Sequence, residues 1–238
     1  MTSVRDAMKF AENMLDILFP PCCAGCQKSG HILCPSCITQ ISPLPAPVCR
    51  HCSTPLTTGG ICKQCQYHPL KLSRVRVVGA YQGPLQSCIH ALKYNGNTRV
   101  AEPLGQLLAE GYINSDMHAD VVIPVPLHSE RQQQRGYNHA YLLAHHCSAR
   151  IGVPLRNDVL IRHRATPAQV GLNTAERREN VAGAFLCTAA FATHAFPGRT
   201  LLLIDDVYTT GATLEACAAP LFAAGASAVW GLVLARPL

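Results

Sequence analysis

Residues 201–213 read Leu-Leu-Leu-Ile-Asp-Asp-Val-Tyr-Thr-Thr-Gly-Ala-Thr, and no other stretch restricts the fold as much. An unbroken apolar run of this kind predicts a β-strand covered on both faces, as at the centre of a parallel sheet. Ligands of such sheets bind beyond the carboxyl ends of the strands. Asp205 and Asp206 fall at that end. Ionised, their oxygens only accept hydrogen bonds, which suits sugar hydroxyls or a hydrated Mg²⁺. Thr209, Thr210, Gly211, Ala212 and Thr213 follow and predict a tight turn that opens a helix. Backbone N–H groups at a helix start, threonine hydroxyls and a glycine that permits close approach make an anion cradle. A diol holder beside a phosphate holder describes a ribose 5-phosphate site. The plainer alternative is a strand and a helix capped by Thr210 or Thr213. It leaves the two adjacent acids unexplained.

Phospho-acceptor receiver domains also end a strand in two aspartates, but they need a further Asp and a Lys on later strands. After Asp206 the only charged residues are Glu215 and Arg236, and the last lysine of the chain is Lys93. On this reading the core is lysine-free, which argues against other phosphate chemistries. The string instead resembles the PRPP (phosphoribosyl pyrophosphate) motif of type I phosphoribosyltransferases. The resemblance implies that Asp205 and Asp206 take the ribose hydroxyls and that residues Thr209 to Thr213 take the 5′-phosphate.

Nine of the thirteen cysteines lie between Cys22 and Cys65, and eight of these form Cys-x-x-Cys pairs: Cys23/Cys26, Cys34/Cys37, Cys49/Cys52 and Cys62/Cys65. Each pair wraps a turn whose two thiolates take adjacent corners of a Zn²⁺ tetrahedron. Sequential pairing gives one site from Cys23, Cys26, Cys34 and Cys37 and another from Cys49, Cys52, Cys62 and Cys65. Cross-bracing of first with third pair stays open, although the short separations favour sequential ribbons. Disulfides would need an oxidising compartment. No secretory signal is apparent, so the expectation is a cytoplasmic zinc protein. A redox pair would need a thioredoxin-like βαβ context, which none of the four has. Zinc contributes about 10–16 kcal/mol of apparent binding energy to so small a fold, enough for a purely structural role.

At 238 residues, 48% hydrophobic and 14% charged, the chain can bury one good core and a small satellite. Its net charge of +6 would point toward nucleic acid. A Zn²⁺ held by four thiolates carries a net −2, however, so two sites bring the total to about +2. Residues 216–235 are uncharged, long enough to raise a membrane span, but Pro220, Gly225 and Gly231 break them into a helix (about 212–224) and a strand (about 228–235). Between His128 and Asn180 the chain has eight arginines and no lysine, a set suited to forked contacts with phosphate oxygens.

Residues 75–81 predict a strand, 84–94 and 99–112 helices, and 120–126 a buried strand stopped by prolines. A polar loop (127–136) follows with Arg131 and Arg135, then a helix over 137–149. Arg131 and Arg135 are candidates for a pyrophosphate or, equally, a solvated helical face. Residues 160–185 read as a strand, a long polar excursion and a returning strand; loops of that length inside a domain are usually functional. Type I enzymes place a mobile hood loop there, and on that resemblance Gln169 and Arg177 cover the ligand as catalytic residues. A solvent-exposed arginine helix near 174–179 is the plain alternative, favoured for Arg178.

Four Cys-x-x-Cys pairs ahead of such a core resemble the ComF family over nearly the whole chain. So do Val125-Pro, the Arg-Gly-Tyr-Asn run at 135–138, and the spacing of Gln169, Leu172, Arg177 and Asn180. Tyr137 stands where Phe is frequent and His139 where Gln is common. The resemblance implies an N-terminal helix (1–20), a double zinc ribbon (21–68) and a type I phosphoribosyltransferase core with a flavodoxin-like parallel sheet (69–238). It implies two structural Zn²⁺, Mg²⁺ and PRPP as ligand or substrate, with a nitrogen acceptor that no motif specifies. Its association with natural transformation raises a second reading, a non-catalytic factor that handles single-stranded DNA or DNA-uptake proteins and uses PRPP as a ligand or signal. Against base stacking by the ribbons, their region holds only Tyr67, with Phe19 just before it. A pure zinc-stabilised scaffold would leave the phosphate motif without a purpose.

Overall fold

A computed structural model describes residues 20–165 and 174–238. The expected N-terminal helix and Gln169 lie outside the described residues. The strands are β1 (Arg74–Ala80), β2 (Val121–Pro124), β3 (Leu160–Arg162), β4 (Phe185–Cys187), β5 (Thr200–Val207) and β6 (Ala228–Arg236). The helices are α1 (Pro35–Thr39), α2 (Lys63–Tyr67), α3 (Gly83–Tyr94), α4 (Ala101–Ile113), α5 (Ser129–Arg135), α6 (His139–Ile151), α7 (Thr174–Val181) and α8 (Ala212–Ala223).

The central sheet is parallel with strand order β1-β6-β5-β2, and β3 and β4 form a separate antiparallel pair. Beyond β2, a parallel bridge joins Val122 to Leu155. Counted from β2, the order is then the flavodoxin-like one, with β1 in the last place. In that order the direction of winding reverses between β2 and β5, and such a switch point opens a crevice at the strand ends. The apolar run of β5 explains its central place. Leu201 and Leu203 enter the core on one face of the sheet, Leu202 and Ile204 the core on the other, and all four are fully buried. That is the side-chain alternation of a strand covered on both faces.

The edge strand β1 is covered by the cysteine-rich segment. Val75 N–H donates to His51 O at 2.6 Å and Ala80 N–H to Ser42 O at 2.9 Å, so the open edge is paired within the chain. Gly79 permits the approach, because a Cβ there would stand 2.8 Å from Ser42 O.

The polar segment 127–136, expected as a loop, forms α5 over most of its length and ends on Gly136 in the left-handed region, φ 81°. Glu130 in its first turn and Arg135 in its last complement the helix dipole, which the sequence pattern alone did not weigh. The next helix starts at His139, later than expected, because Asn138 caps it. The Asn138 Oδ1 accepts from Ala140 N–H at 3.0 Å, and its Nδ2 donates to Val125 O at 3.0 Å.

Candidate functional site

Each ribbon is built from the same parts. In the first, Cys34 N–H donates to Cys23 Sγ at 3.3 Å and Cys37 N–H to Cys34 Sγ at 3.4 Å. In the second, Cys62 N–H donates to Cys49 Sγ at 3.3 Å and Cys65 N–H to Cys62 Sγ at 3.4 Å. Gln27 and Ser53, each directly after the second cysteine of its turn, both take positive φ, 64° and 57°. The pairing is sequential: Cys23, Cys26, Cys34 and Cys37 converge, as do Cys49, Cys52, Cys62 and Cys65, with every sulfur within 4.8 Å of the others in its set. Thiolates 2.3 Å from a tetrahedral zinc stand about 3.8 Å apart. Cys26 and Cys34 are 3.7 Å apart and Cys52 and Cys62 3.6 Å, so both sets fit the metal. Burial works against the Cys23 thiolate, but the amides of Cys34, Cys26 and Gly25 outweigh it and bring the pKa down to about 6. The amides of Cys62, Cys52 and His51 likewise bring Cys49 to about 7 against its burial. One thiolate in each set is thus favoured before any metal contributes, whereas burial pushes the Cys37, Cys52 and Cys65 thiols up.

At the carboxyl end of β5, a cavity of about 400 Å³ brings together Asp205, Asp206, Thr209, Thr213, Arg131 and Arg177. These six expected residues come from β5, the turn after it, the first turn of α8, α5 and α7. Thr210, Gly211 and Ala212 shape the turn and do not line the cavity. Gly211 itself is the N-cap of α8, at φ 84° and with no side-chain capping bond, so neither Thr210 nor Thr213 plays the cap that the plain reading gave them. Thr210 Oγ1 accepts from Ala212 N–H at 3.4 Å. A side chain at position 211 is excluded twice, by the positive φ and because a Cβ would meet the Tyr208 hydroxyl at 2.6 Å. Arg135 lines an adjoining cavity of about 580 Å³, with Lys93, Tyr94 and Arg131. Its guanidinium donates to His139 Nδ1 at 2.7 Å and lies 5.6 Å from the centre of the Tyr94 ring.

Sequence reasoning missed Lys93, His139 and Arg162, all of which line the cavity with the acids. Lys93, used above only to call the core lysine-free, corrects that expectation: its Nζ lies 2.6 Å from Asp206 Oδ2. His139 Nε2 faces the same oxygen at 3.3 Å. The only signal in the sequence was the family's habitual Gln in place of His139, which marked a position and not a contact.

The Asp206 surroundings fix protonation states. Arginine has donors only, so His139 Nδ1 must accept, and the imidazole is neutral with its proton on Nε2, toward Asp206. Burial pushes His139 down to about 4 against the pull of Asp206, with Lys93 and Arg135 adding to the fall. Burial would raise the Asp206 carboxyl, but Lys93 outweighs it and holds the pKa below the ordinary value. Asp205, whose Oδ1 accepts from Asp206 N–H at 2.9 Å, is raised to about 7 by burial and by the charge of Asp206.

His139, Asp205 and Asp206 place ligand atoms within 4.8 Å of one another, a grouping that a cation could use. As arranged, they do not fit one. Asp206 Oδ2 already faces an ammonium, and the Nε2 of His139 that points at it carries a proton and has no lone pair to give.

Residues 14–66 match the double zinc ribbon domain family. Competence protein F of Haemophilus influenzae is 32% identical over 225 residues, covering 90% of this chain and 96% of that relative. The chain belongs to the ComF family. Another ComF relative, the DNA utilization protein YhgH of Escherichia coli, is 30% identical over 197 residues, 80% of this chain and 85% of its own. Among solved structures, the glutamine phosphoribosylpyrophosphate (PRPP) amidotransferase of B. subtilis complexed with ADP and GMP overlaps 60% of this ComF chain and 30% of its own, at 19% identity and a TM-score of 0.40. No described helix of this ComF protein is long and apolar enough to cross a membrane.

Proposed function

We propose that the cavity at the end of β5 binds PRPP. The carrying observation is the convergence of Asp205, Asp206, Thr209, Thr213, Arg131 and Arg177 on one crevice at the sheet's switch point. Asp205 and Asp206 accept from the ribose hydroxyls, the turn from Thr209 to Thr213 takes the 5′-phosphate at the start of α8, and Arg131 with Arg135 faces the pyrophosphate. Arg177 on α7 reaches the same cavity from the segment after β3 and covers the ligand; Gln169 is assigned the same task by family resemblance alone. Mg²⁺, also implied by that resemblance, has no protein ligand assigned to it here, because the Asp206 surroundings do not suit a cation.

As an enzyme, the protein would let a nitrogen nucleophile form a bond to ribose C1 while the bond from C1 to the pyrophosphate oxygen breaks, the electron pair leaving with pyrophosphate. Positioning and electrostatic stabilisation suffice for this, and no protein nucleophile is needed. The names of the relatives, competence and DNA utilization, support placing the activity in DNA uptake, with single-stranded DNA or uptake proteins as partners. A non-catalytic factor that senses PRPP is the second reading, favoured by the same names.

Thermal denaturation with PRPP tests the site. Ligand at a hundredfold its Kd stabilises by about 2.7 kcal/mol, which raises the melting temperature by roughly 5–10 °C. Asp205→Asn combined with Asp206→Asn abolishes the rise, and no rise in the unmutated protein would refute the site. Pyrophosphate release across a panel of bases and amines then separates enzyme from binder.

A further inference from the structure

Lys93 belongs to no motif that carries the proposed function, yet it occupies the most consequential position in the crevice. It leaves the C-terminal turn of α3, its side chain is only 18% exposed, and its ammonium rests on Asp206. Two cavities meet at this point. One contains the aspartate pair, the other has Lys93, Arg131 and Arg135 in its wall and no carboxylate, and Lys93, Tyr94 and Arg131 are common to both. A buried ion pair contributes little net stability, since desolvation offsets most of its attraction. One at the junction of a cavity that holds both carboxylates and a cavity that holds only cations instead calls for a ligand with hydroxyls for the first and an anionic group for the second.

Geometry supplies the link. An ammonium has three donors and no acceptor. It lies 2.6 Å from Asp206 Oδ2, and Lys93 lines both cavities. Asp206 is held in place by the neutral His139, and His139 in turn by Arg135, so the chain Arg135–His139–Asp206–Lys93 is a connected support. A divalent ion taking Asp206 Oδ2 as a ligand would have to displace this ammonium.

We propose that Lys93 is a built-in counter-cation of the site, anchored on Asp206 and donating to the diphosphate of a 1-diphosphorylated pentose, so that the ligand binds without a divalent metal ion. The inference rests on the PRPP reading above and adds a ligand-contacting residue and a metal requirement to it.

Calorimetric titration of PRPP into the full-length, zinc-loaded protein tests it, with the titrant and protein either magnesium-replete or freed of Mg²⁺ by treatment that leaves zinc content unchanged. The unmutated protein binds in both conditions with Kd values within about threefold of one another. Lys93→Met loses at least about tenfold in the magnesium-free titration, as expected for a lost charge-assisted bond, and recovers when Mg²⁺ is restored. Lys93→Arg, which keeps the charge, retains most of the magnesium-free affinity. If the unmutated protein binds only with Mg²⁺, the counter-cation role is overturned while the PRPP reading stands; that measurement needs no variant and so survives a Lys93→Met protein that does not fold. Equal weakening of Lys93→Met with and without Mg²⁺ also overturns it. No binding of PRPP in either condition overturns both readings.

Discussion

Two neighbouring aspartates in this site have opposite electrostatic roles. Asp206 is ionised against a buried ammonium, so Asp206→Asn leaves Lys93 without a partner. Removing one member of such a pair costs about 3–5 kcal/mol, a fall in melting temperature of roughly 10 °C. Asp205 is raised to about 7 by burial and the adjacent charge, so the folded protein binds that proton more tightly than the unfolded chain. Its contribution to stability is therefore full below the free value near 4 and is lost as pH rises through about 7. His139, pushed down by burial to about 4, works the other way. The unfolded chain takes up its proton below about 6.5, so stability falls as pH drops from there toward 4. The two terms oppose each other between about 4 and 6.5 and flatten the unliganded profile. Asp205→Asn removes one of them, and its melting temperature should climb from pH 5 to about 6.5 where the unmutated protein shows little slope. Parallel profiles for the two proteins would contradict this assignment.

At the scale of elements, the site depends on how two helices and one turn begin. Asn138 ties the start of α6 to the end of β2 with one side chain, capping Ala140 and holding Val125 O. Asn138→Ala should cost about 1–2 kcal/mol, and because His139 is the first residue of the helix, it should also weaken PRPP binding; an unchanged Kd would separate the cap from the site. The same scale shows what could be read in the chain. The apolar run of β5, the acids at its end and the glycine turn were legible because they are contiguous and their chemistry is local. Cys23/Cys26 and its three counterparts were legible because thiolate spacing is itself the signal. Lys93 and His139 were not. Each closes an amphipathic helix or opens one, where a polar residue is unremarkable, and they meet Asp206 only because β1, β2 and β5 run parallel and send α3 and α6 from the same end of the sheet. Segment 127–136 went the other way: polarity alone suggested a loop, and the charge order along α5 was the overlooked cue.

For the molecule as a whole, the two ribbons brace different parts of the crevice. The first packs on α3, the helix that carries Lys93: Cys23, Cys37 and Leu33 share a core with Leu85, Cys88 and Ile89. The second packs beside the phosphate turn, where Cys52 and Cys65 share the other core with Tyr208 and Ala212. Arg236, at the end of β6, makes this second connection explicit. It donates to Cys52 O at 3.0 Å and to Thr54 Oγ1 at 2.9 Å, and it lies over the Tyr208 ring, against which Gly211 is packed. Two zinc ions per chain are expected by elemental analysis; one or none would remove the double-ribbon basis of this arrangement. Arg236→Met keeps the apolar stem over Tyr208 and deletes the bonds to the ribbon. Both zinc sites keep all eight thiolates, so the metal content should stay at two. The turn that takes the 5′-phosphate loses its brace, whereas Arg131 and Arg135 on α5 are untouched. Affinity for ribose 5-phosphate should therefore fall several-fold, on the order of 1 kcal/mol for lost hydrogen bonds that act through a neighbour, while affinity for inorganic pyrophosphate holds. Equal losses for the two ligands would mean general destabilisation, and no loss for either would mean that the second ribbon does not position the turn.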